Sequence, residues 1–576
     1  MLLKTLACFQ RRVIRRSFRT IAAAQPFLHY VVYSNHVARP FSPSRSTFST
    51  LYAPRMRDTI YALSTPSGKS AIAVVRISGP ACSDIYRALC PNSPLPKPRF
   101  ATVRTLYDPT SPSDMDSVLD HEALVLFFPS PHTATGEDIL ELHVHGGPAV
   151  IKAVLQAIPQ CGSAHNRVRY AEPGEFTQRA FYNNRLDLTQ VEALGDILAA
   201  TTEQQRILSI RGMTKTLTQR YNQWRTKLQH ARGELEGLID FSEDQHFDES
   251  SETLLSSVAS QVRHLKNLIE LHVQNATRGE LLRNGISVAF LGGPNVGKSS
   301  LLNRVVDREA AIVSNEAGTT RDIVEIGMDL GGYLCRFSDM AGLRGKHNTT
   351  NQQEQVGAIE LEGIRRAKQR ALESNVVVVI TEVQRDYTGE ACLLLDNEVT
   401  DIAAQCAAQG NHMLAVVNKI DRIDDKQVSP NSHWNSLKHQ FHRFLPFIEP
   451  NSIIMTSCTS PGHEGIHNFQ EALVAIFKSM TKAISVDTHS GSPLHESLGA
   501  TERQRRLLQT CLQFLNSFLS EIPMIPSRDI GDIDIVAAAE ALRAAADSLA
   551  KITGHGSAGD VEEVLGVVFE KFCVGK

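Results

Sequence analysis

The sequence lacks three features that would each define a class of protein. None of its apolar runs is long enough to cross a membrane. Its ten cysteines are scattered and include no C-x-x-C pair, which argues against a zinc site or a disulfide scaffold and suits a reducing compartment. No acidic residue precedes Asp58. The composition is otherwise ordinary, and 576 residues predict several domains.

The acid-free segment, residues 1–57, carries ten basic residues and frequent serine and threonine. Residues 4–19 can form a basic amphipathic helix. This profile is typical of a mitochondrial presequence, and we assign residues 1–55 to one, as a disordered segment. A chloroplast transit peptide would look similar, and a basic RNA-binding arm is the alternative. The whole chain has a net charge of −3, so the remainder carries about −13 and lacks the basic surface of a dedicated nucleic-acid binder.

A phosphate-binding loop is the feature around which the remainder is organised. Residues 292–299 match G-x-x-x-x-G-K-S/T at every fixed position. They follow an apolar run, residues 286–291, that predicts a buried parallel strand, and they precede a predicted helix. In that context, backbone N–H groups cradle phosphate oxygens. Lys298 should reach the β- and γ-phosphates, and Ser299 should bind Mg²⁺.

Further GTPase elements follow in order. Residues 317–322 lie where a switch I loop should be, and Thr320 is predicted to complete the Mg²⁺ shell. A D-x-x-G element supplies Asp339, which should hold Mg²⁺ through water, and Gly342, whose N–H should meet the γ-phosphate.

Guanine recognition is predicted from an N-K-x-D element. Asp421 can accept hydrogen bonds from guanine N1–H and N2–H, which adenine cannot offer, so the nucleotide is predicted to be GTP. The strand predicted at residues 453–455 leads into the backbone contact with guanine O6. The remaining predicted GTP-binding positions are Asn295, Val296, Gly297, Ser300, Ser314, Thr319, Asn418, Lys419, Ser457 and Cys458.

The catalytic step requires a group that positions water. Leu343 occupies the position at which a Ras-type GTPase has a water-orienting glutamine. Glu360, on a helix predicted at residues 355–373, is the candidate, and with Lys298 and Thr320 it forms the predicted catalytic set. The side-chain oxygen of Asn295 could help hold a monovalent cation. The alternatives are a turn role for Asn295 and a solvated helix face for Glu360.

Periodicity divides the rest of the chain. Residues 56–177 predict a small α+β domain, 178–284 long helices, 285–480 the GTPase domain, and 481–576 further helices with a heptad stripe. The predicted fold class is multidomain α/β plus α: the small α+β domain, a discontinuous helical domain, and an inserted Ras-like doubly wound P-loop GTPase domain. His143 and His145 share a strand face, but two histidines make a poor metal site, so packing or hydrogen bonding is favoured.

Several short stretches resemble the MnmE (TrmE) family of tRNA-modification GTPases, in its mitochondrial form. The resemblance runs from residue 58 to residue 576. Besides the GTPase motifs, the matching stretches are residues 58–60, 76–79, 135–138, 145–147, 173–176, 185–188 and the Cys-Val-Gly-Lys terminus at 573–576.

The resemblance implies an N-terminal domain that binds folate and dimerises. It also implies a flavin-dependent partner of the GidA (MnmG) type that carries FAD, with a homodimer or a heterotetramer as the assembly. Together the partners install an aminomethyl-type group at C5 of the wobble uridine of tRNAs in the mitochondrial matrix. The one-carbon unit comes from a tetrahydrofolate derivative, and GTP hydrolysis is stimulated by K⁺.

The resemblance also assigns roles to individual residues. Arg185 stands where some members have lysine, and Glu316 departs from the expected apolar residue, although that contact would use backbone oxygen. Residues 346–355 are longer than expected ahead of Glu360. Cys573 is either a nucleophile or structural. The implied sets are Arg76, Glu137, Arg185 and Lys576 for folate; Asn295, Ser314, Glu316 and Thr319 for K⁺; Ser299 and Thr320 for Mg²⁺; and Glu360 for water.

Two other functions compete with this interpretation. One is a switch GTPase that assists mitochondrial ribosome assembly, which should carry a basic RNA-binding appendage. The other is a folate-binding module with a vestigial GTPase, which the intact GTPase elements disfavour. If the chain itself contacts tRNA, Arg503, Arg505 and Arg506 are the predicted local patch.

Overall fold

The computed structural model describes most of the chain after residue 57. The described residues are 58–111, 114–162, 167–241, 251–293, 295–306, 312–314, 326–338, 368–385, 387, 390–423, 430–459, 464–484, 495–522, 534–554 and 575. The predicted presequence lies outside them. Among the described helices, none combines the length and apolarity needed to cross a membrane.

The first part of the described chain is a six-stranded sheet with two helices against one face. Its elements are β1 (Thr59–Leu63), β2 (Ile72–Ser78), α1 (Cys82–Leu89), β3 (Thr102–Tyr107), β4 (Val118–Phe128), β5 (Ile139–His145), α2 (Pro148–Ala157) and β6 (Val168–Tyr170). The strand order is β3-β4-β5-β2-β1-β6, antiparallel except for the β1–β6 pair. Alternate residues of β2 and β5, such as Val75, Ile77 and Leu142, are fully buried under α1 and α2.

Helices follow without an intervening strand. They are α3 (Glu175–Tyr182), α4 (Leu188–Ala199), α5 (Glu203–Gly212), α6 (Thr216–Phe241) and α7 (Ser251–Asn284). The first turn of α4 is closed by a capping box, in which the Asp187 side chain accepts from the Gln190 N–H.

A second sheet begins after Gly285, the single residue between α7 and the next strand. Its elements are β7 (Ile286–Leu291), α8 (Lys298–Val306), β8 (Ile312–Ser314), β9 (Ile326–Leu330), β10 (Tyr333–Ser338), β11 (Val376–Arg385), β12 (Ala391–Leu393), α9 (Asn397–Ala408), β13 (His412–Asn418), α10 (Pro430–Phe444), β14 (Ile453–Met455) and α11 (Glu464–Thr481). The order is β14-β13-β11-β7-β10-β9-β8, parallel from β14 to β10. Four consecutive valines at residues 376–379 are fully buried because both faces of the central strand β11 are covered.

Two further helices, α12 (Glu502–Glu521) and α13 (Ile535–Thr553), complete the described chain apart from Gly575. Leu515, Leu542 and Leu549 are fully buried in one core with residues of α6 and α7. Each buried leucine contributes roughly 2 kcal/mol by removal from water. The helices that precede and follow the second sheet in sequence therefore form one bundle. This packing confirms the predicted fold class, with a GTPase domain inserted into a discontinuous helical domain.

Candidate functional site

The phosphate-binding loop joins the carboxyl end of β7 to the start of α8. The Lys298 ammonium donates to the carbonyl oxygens of Gly292 (2.7 Å) and Gly293 (2.9 Å). Gly297 has φ +100°, and a Cβ there would lie 2.1 Å from Asn418 Nδ2, so only glycine fits. Ser299 and Ser300 lie in the first turn of α8, where backbone N–H groups favour an anion.

The predicted base-recognition residues converge beside this loop. Asn418 is the last residue of β13, and its Nδ2 donates to the Val296 carbonyl at 2.9 Å. Ser457 Oγ donates to Asp421 Oδ1 at 2.5 Å. Burial alone would raise the pKa of Asp421, but hydrogen bonds from Ser457 and Thr459 outweigh it, so this pKa lies below its ordinary value. The ionised carboxylate can therefore accept hydrogen bonds from both guanine N–H groups.

Two connections tie the base side to the phosphate side. Lys419 Nζ donates to the Asn295 carbonyl at 2.6 Å, and both residues have φ near +61°. Arg304 of α8 donates through Nε to the Cys458 carbonyl at 3.0 Å. Cys458 Sγ lies 3.6 Å from Asn418 Oδ1. The two connections thus join residues that are 124 and 154 positions apart in the sequence.

Other predicted nucleotide-site residues fall outside the described part of the chain. They are Glu316, Thr319, Thr320, Asp339, Gly342 and Glu360. The backbone of Ser314 is described at the end of β8, where it pairs with Gly327 of β9.

A second cluster of predicted residues lies in the N-terminal sheet. Glu137 Oε2 accepts from Ser78 Oγ (2.8 Å) and from Arg179 Nη1 (2.9 Å). Arg185 Nε donates to the Thr133 carbonyl at 2.9 Å, so Glu137 and Arg185 flank one loop. Arg76, two residues before Ser78 on β2, pairs with Glu141 at 3.0 Å.

Sequence reasoning missed the buried arginine that contacts Glu137. The Arg179 side chain is only 3% exposed, and it contacts Glu137 and Glu175. Burial alone would raise the pKa of Glu175, but hydrogen bonds from Arg169 and the Glu172 backbone N–H outweigh it, and this pKa is lowered. The i, i+4 spacing of Glu175 and Arg179 on α3 was the available signal.

The chain terminus reaches the same domain. Gly575 is buried, and its carbonyl accepts from Ser64 Oγ at 3.0 Å. Gly575 has φ +96°, and a Cβ there would lie 2.3 Å from the Leu63 carbonyl oxygen. Cys573 and Lys576, on either side of it, lie outside the described residues.

The structure also places the two histidines of β5. His145 Nδ1 lies 2.9 Å from buried Asp120, and His143 lies 3.5 Å from Glu141. His145 thus forms the hydrogen bond that was favoured over a metal site, whereas the buried Nε2 of His143 has no hydrogen-bond partner among the described residues. The described residues contain no group of three or more His, Cys, Asp or Glu side chains that could hold a metal ion.

The arginine patch predicted for tRNA is wrong as a set. Arg503 pairs with Glu192 at 2.5 Å and Arg505 with Glu280 at 2.7 Å, and both side chains are about four-fifths buried. They tie α12 to α4 and α7. Only Arg506, paired with Glu502 on its own helix, is largely exposed. Periodicity could not reveal these partners because they lie more than 220 residues away.

The second sheet and its loops define the class of protein. The parallel part of this sheet carries the phosphate-binding loop after one strand and the N-K-x-D element after another. A third loop supplies Ser457, which donates a hydrogen bond to Asp421. These features define a P-loop GTPase, an enzyme that hydrolyses GTP.

Comparison with known proteins places the chain within that class. Residues 59–185 match the family model for the GTP-binding protein TrmE N-terminus, and residues 188–573 match the model for the MnmE helical domain. The chain therefore belongs to the TrmE/MnmE family of tRNA modification GTPases.

Three relatives show how far the likeness extends. The chain is 37% identical to the mitochondrial tRNA modification GTPase mss1 of Schizosaccharomyces pombe, over 90% of this chain and 95% of the relative. It is 38% identical to the mitochondrial 5-taurinomethyluridine tRNA synthase subunit GTPB3 of Danio rerio, over 90% and 93%. It is 37% identical to the tRNA modification GTPase MnmE of Parvibaculum lavamentivorans, over 90% and 100%.

Proposed function

We propose that this GTPase acts in the mitochondrial matrix on the wobble uridine of tRNAs. It works with a flavin-dependent, GidA-type partner that carries FAD, and together they attach an aminomethyl-type group at C5. The name of the Danio rerio relative supports this proposal, since that protein is called a subunit of a 5-taurinomethyluridine synthase. The mitochondrial names of two relatives and the basic, acid-free residues 1–57 support the location.

One observation carries the proposal beyond GTP hydrolysis. Gly575 lies against Leu63 and Ser64, which are 511 or more residues away in sequence. This contact ties Gly575 to the domain that holds Glu137, and Arg185 contacts the same domain through the Thr133 carbonyl. We infer that this domain, residues 56–177, binds a tetrahydrofolate derivative through its own Arg76 and Glu137, together with Arg185 and Lys576 from the helical domain. Cys573 would serve as a nucleophile or in a structural role.

The GTPase domain would drive this chemistry. In our proposal, residues 285–480 form that domain, and residues 178–284 and 481–576 form the helical domain. Ser299 and Thr320 hold Mg²⁺. Asn295, Ser314, Glu316 and Thr319 hold K⁺, Glu360 orients the water, and two copies of the chain pair.

Nucleoside analysis tests the function. The gene is deleted in its own organism and complemented with the wild-type chain or with Lys298→Ala. Mass spectrometry of mitochondrial tRNA should show loss of the C5 group at the wobble position, restored by the wild type and not by the variant. Intact wobble nucleosides together with immature mitochondrial ribosomal subunits would instead support the assembly-factor alternative.

The proposed K⁺ site has a separate test. GTP hydrolysis is measured in potassium and in sodium buffer, for the wild type and for Asn295→Ala. We expect a large stimulation by K⁺ that the variant loses. Equal rates in both salts would remove the role of Asn295.

A further inference from the structure

Glu382 lies beside the nucleotide site, although no GTPase motif includes it. It is on the central strand β11 and pairs in register with Asn418, the first residue of the N-K-x-D element. Its side chain is 17% exposed. The carboxylate therefore lies near the carboxyl ends of the parallel strands, which is where sheets of this kind bind ligands.

The contacts of Glu382 centre on Lys419. Glu382 Oε2 accepts a charge-assisted hydrogen bond from Lys419 Nζ, and Arg422 Nη1 lies 3.5 Å from the same oxygen. Gln384 Nε2 donates to Oε1 at 3.1 Å. Lys419 Nζ also donates to the Asn295 carbonyl at 2.6 Å. The ammonium thus spans from β11 to the phosphate-binding loop.

We propose that Glu382 is a positioning residue for nucleotide binding, which acts by holding Lys419 between the base pocket and the phosphate-binding loop. A bound nucleotide must span both, from Asp421 to Lys298. Lysine has a long side chain with a large rotamer entropy, so an unrestrained Lys419 would have to be ordered during binding. Glu382 orders it beforehand.

The sign of the effect separates this role from a simple charge effect. The nucleotide phosphates are negative, so a nearby carboxylate that acted only through its charge would weaken binding. Its removal would then tighten binding of GDP. A carboxylate that positions Lys419 has the opposite effect, since its removal weakens binding.

The test uses the full chain and a fluorescent GDP analogue. Glu382→Ala should raise Kd for the analogue about tenfold, as expected for loss of a charge-assisted hydrogen bond. It should also raise KM for GTP with little change in kcat at saturation. Glu382→Gln, which keeps an acceptor, and Glu382→Asp, which keeps the charge, should each recover part of the loss. Glu398→Ala, which removes an exposed carboxylate from α9, is the matched control.

A double-mutant cycle guards against a merely structural loss. If Glu382 acts through Lys419, the Glu382→Ala change should cost little further affinity in a Lys419→Ala background. Additive losses, or a Kd that is unchanged or lower in Glu382→Ala, would overturn the proposal. Glu382→Gln tests the same point if the alanine variant proves unstable.

Discussion

At the scale of single residues, Asp421 is predicted to determine which base the protein binds. Its carboxylate offers two acceptors to guanine, and Ser457 holds it in place. In Asp421→Asn, the amide offers one acceptor and one donor, which matches xanthine, since xanthine has an oxygen at C2. We expect kcat/KM for GTP to fall at least about 100-fold and that for XTP to rise. Steady-state hydrolysis of both nucleotides checks this, and an unchanged preference for GTP would contradict the assignment.

His272 is a buried residue that should make the helical bundle sensitive to acid. Burial lowers its pKa from 6.5 to about 3. Its Nε2 lies 3.0 Å from the Tyr221 hydroxyl, and its Nδ1 has no partner among the described residues. The unfolded chain therefore binds a proton below pH 6.5, whereas the folded chain stays neutral. The contribution of neutral His272 to the free energy of unfolding is fully present above pH 6.5. It should fall by about 1.4 kcal/mol per pH unit as the pH drops toward 3.

The test replaces His272 with phenylalanine, which keeps a ring of similar size. Trp224 lies 5.3 Å from the His272 ring, so its fluorescence reports local unfolding, and Trp434→Phe leaves it as the sole tryptophan. Urea unfolding between pH 7.5 and 5.5 should show a weaker pH dependence in His272→Phe, and the remaining slope reports the other histidines, such as His412, whose pKa burial also lowers. Carboxylates titrate mostly below this window. The same slope in both proteins would show that other groups are responsible.

At the scale of elements, the docking of the chain terminus depends on Gly575. Alanine there would require an unfavourable positive φ and would place Cβ 2.3 Å from the Leu63 carbonyl oxygen. The backbone strain alone costs on the order of 1 kcal/mol. We expect Gly575→Ala to release the terminus, to make it a faster substrate for carboxypeptidase, and to leave GTP hydrolysis unchanged.

The control for this change is Gly233→Ala in α6, where an added Cβ would meet nothing within 4 Å. Carboxypeptidase digestion tests the docking itself, and the level of the C5 modification tests its proposed role. Equal digestion of both variants would show that Gly575 does not hold the terminus. Rapid digestion of Gly575→Ala with full modification would show that Gly575 holds the terminus in place, but that this docking is not needed for the chemistry.

At the scale of the whole molecule, Arg283 lies where the helical bundle leads into the second sheet. It lies in the last turn of α7, two residues before Gly285 opens the path to β7. Its Nε donates to Asp196 at 2.7 Å, and its other nitrogens donate to the carbonyls of Gly499 and Ala500 at 3.2 Å. Arg283 thereby ties the point where the chain leaves the bundle to the segment just before α12.

We expect Arg283→Ala to weaken the coupling between GTP hydrolysis and tRNA modification. Hydrolysis should stay within about twofold, while modification per GTP hydrolysed should fall at least about fivefold, a typical coupling loss. Arg206→Ala is the matched control, because Arg206 lies on α5 near the same junction and forms an exposed pair with Glu203. A parallel fall in hydrolysis and modification would indicate damage to the GTPase domain instead.

Local patterns in the sequence determined much of the fold. The strand at residues 286–291, the loop after it and the helix that follows were all predictable, because each depends on neighbours within about ten residues. The heptad stripe of α13 and its end at Gly554, with φ +83°, are equally local. The short strands β3 and β6 and the helix α1 were not predicted, since their place depends on neighbouring strands far away in sequence.

Tertiary structure alone decided which distant polar groups become partners. Lys419 pairs with Glu382 across 37 residues, Arg503 with Glu192 across 311, and Gly575 with Ser64 across 511. Motif spacing identifies the groups that must meet a nucleotide, because that ligand imposes a fixed geometry. It cannot identify ion pairs between distant elements, because a long polar side chain takes whichever partner the packing of the apolar core brings within reach.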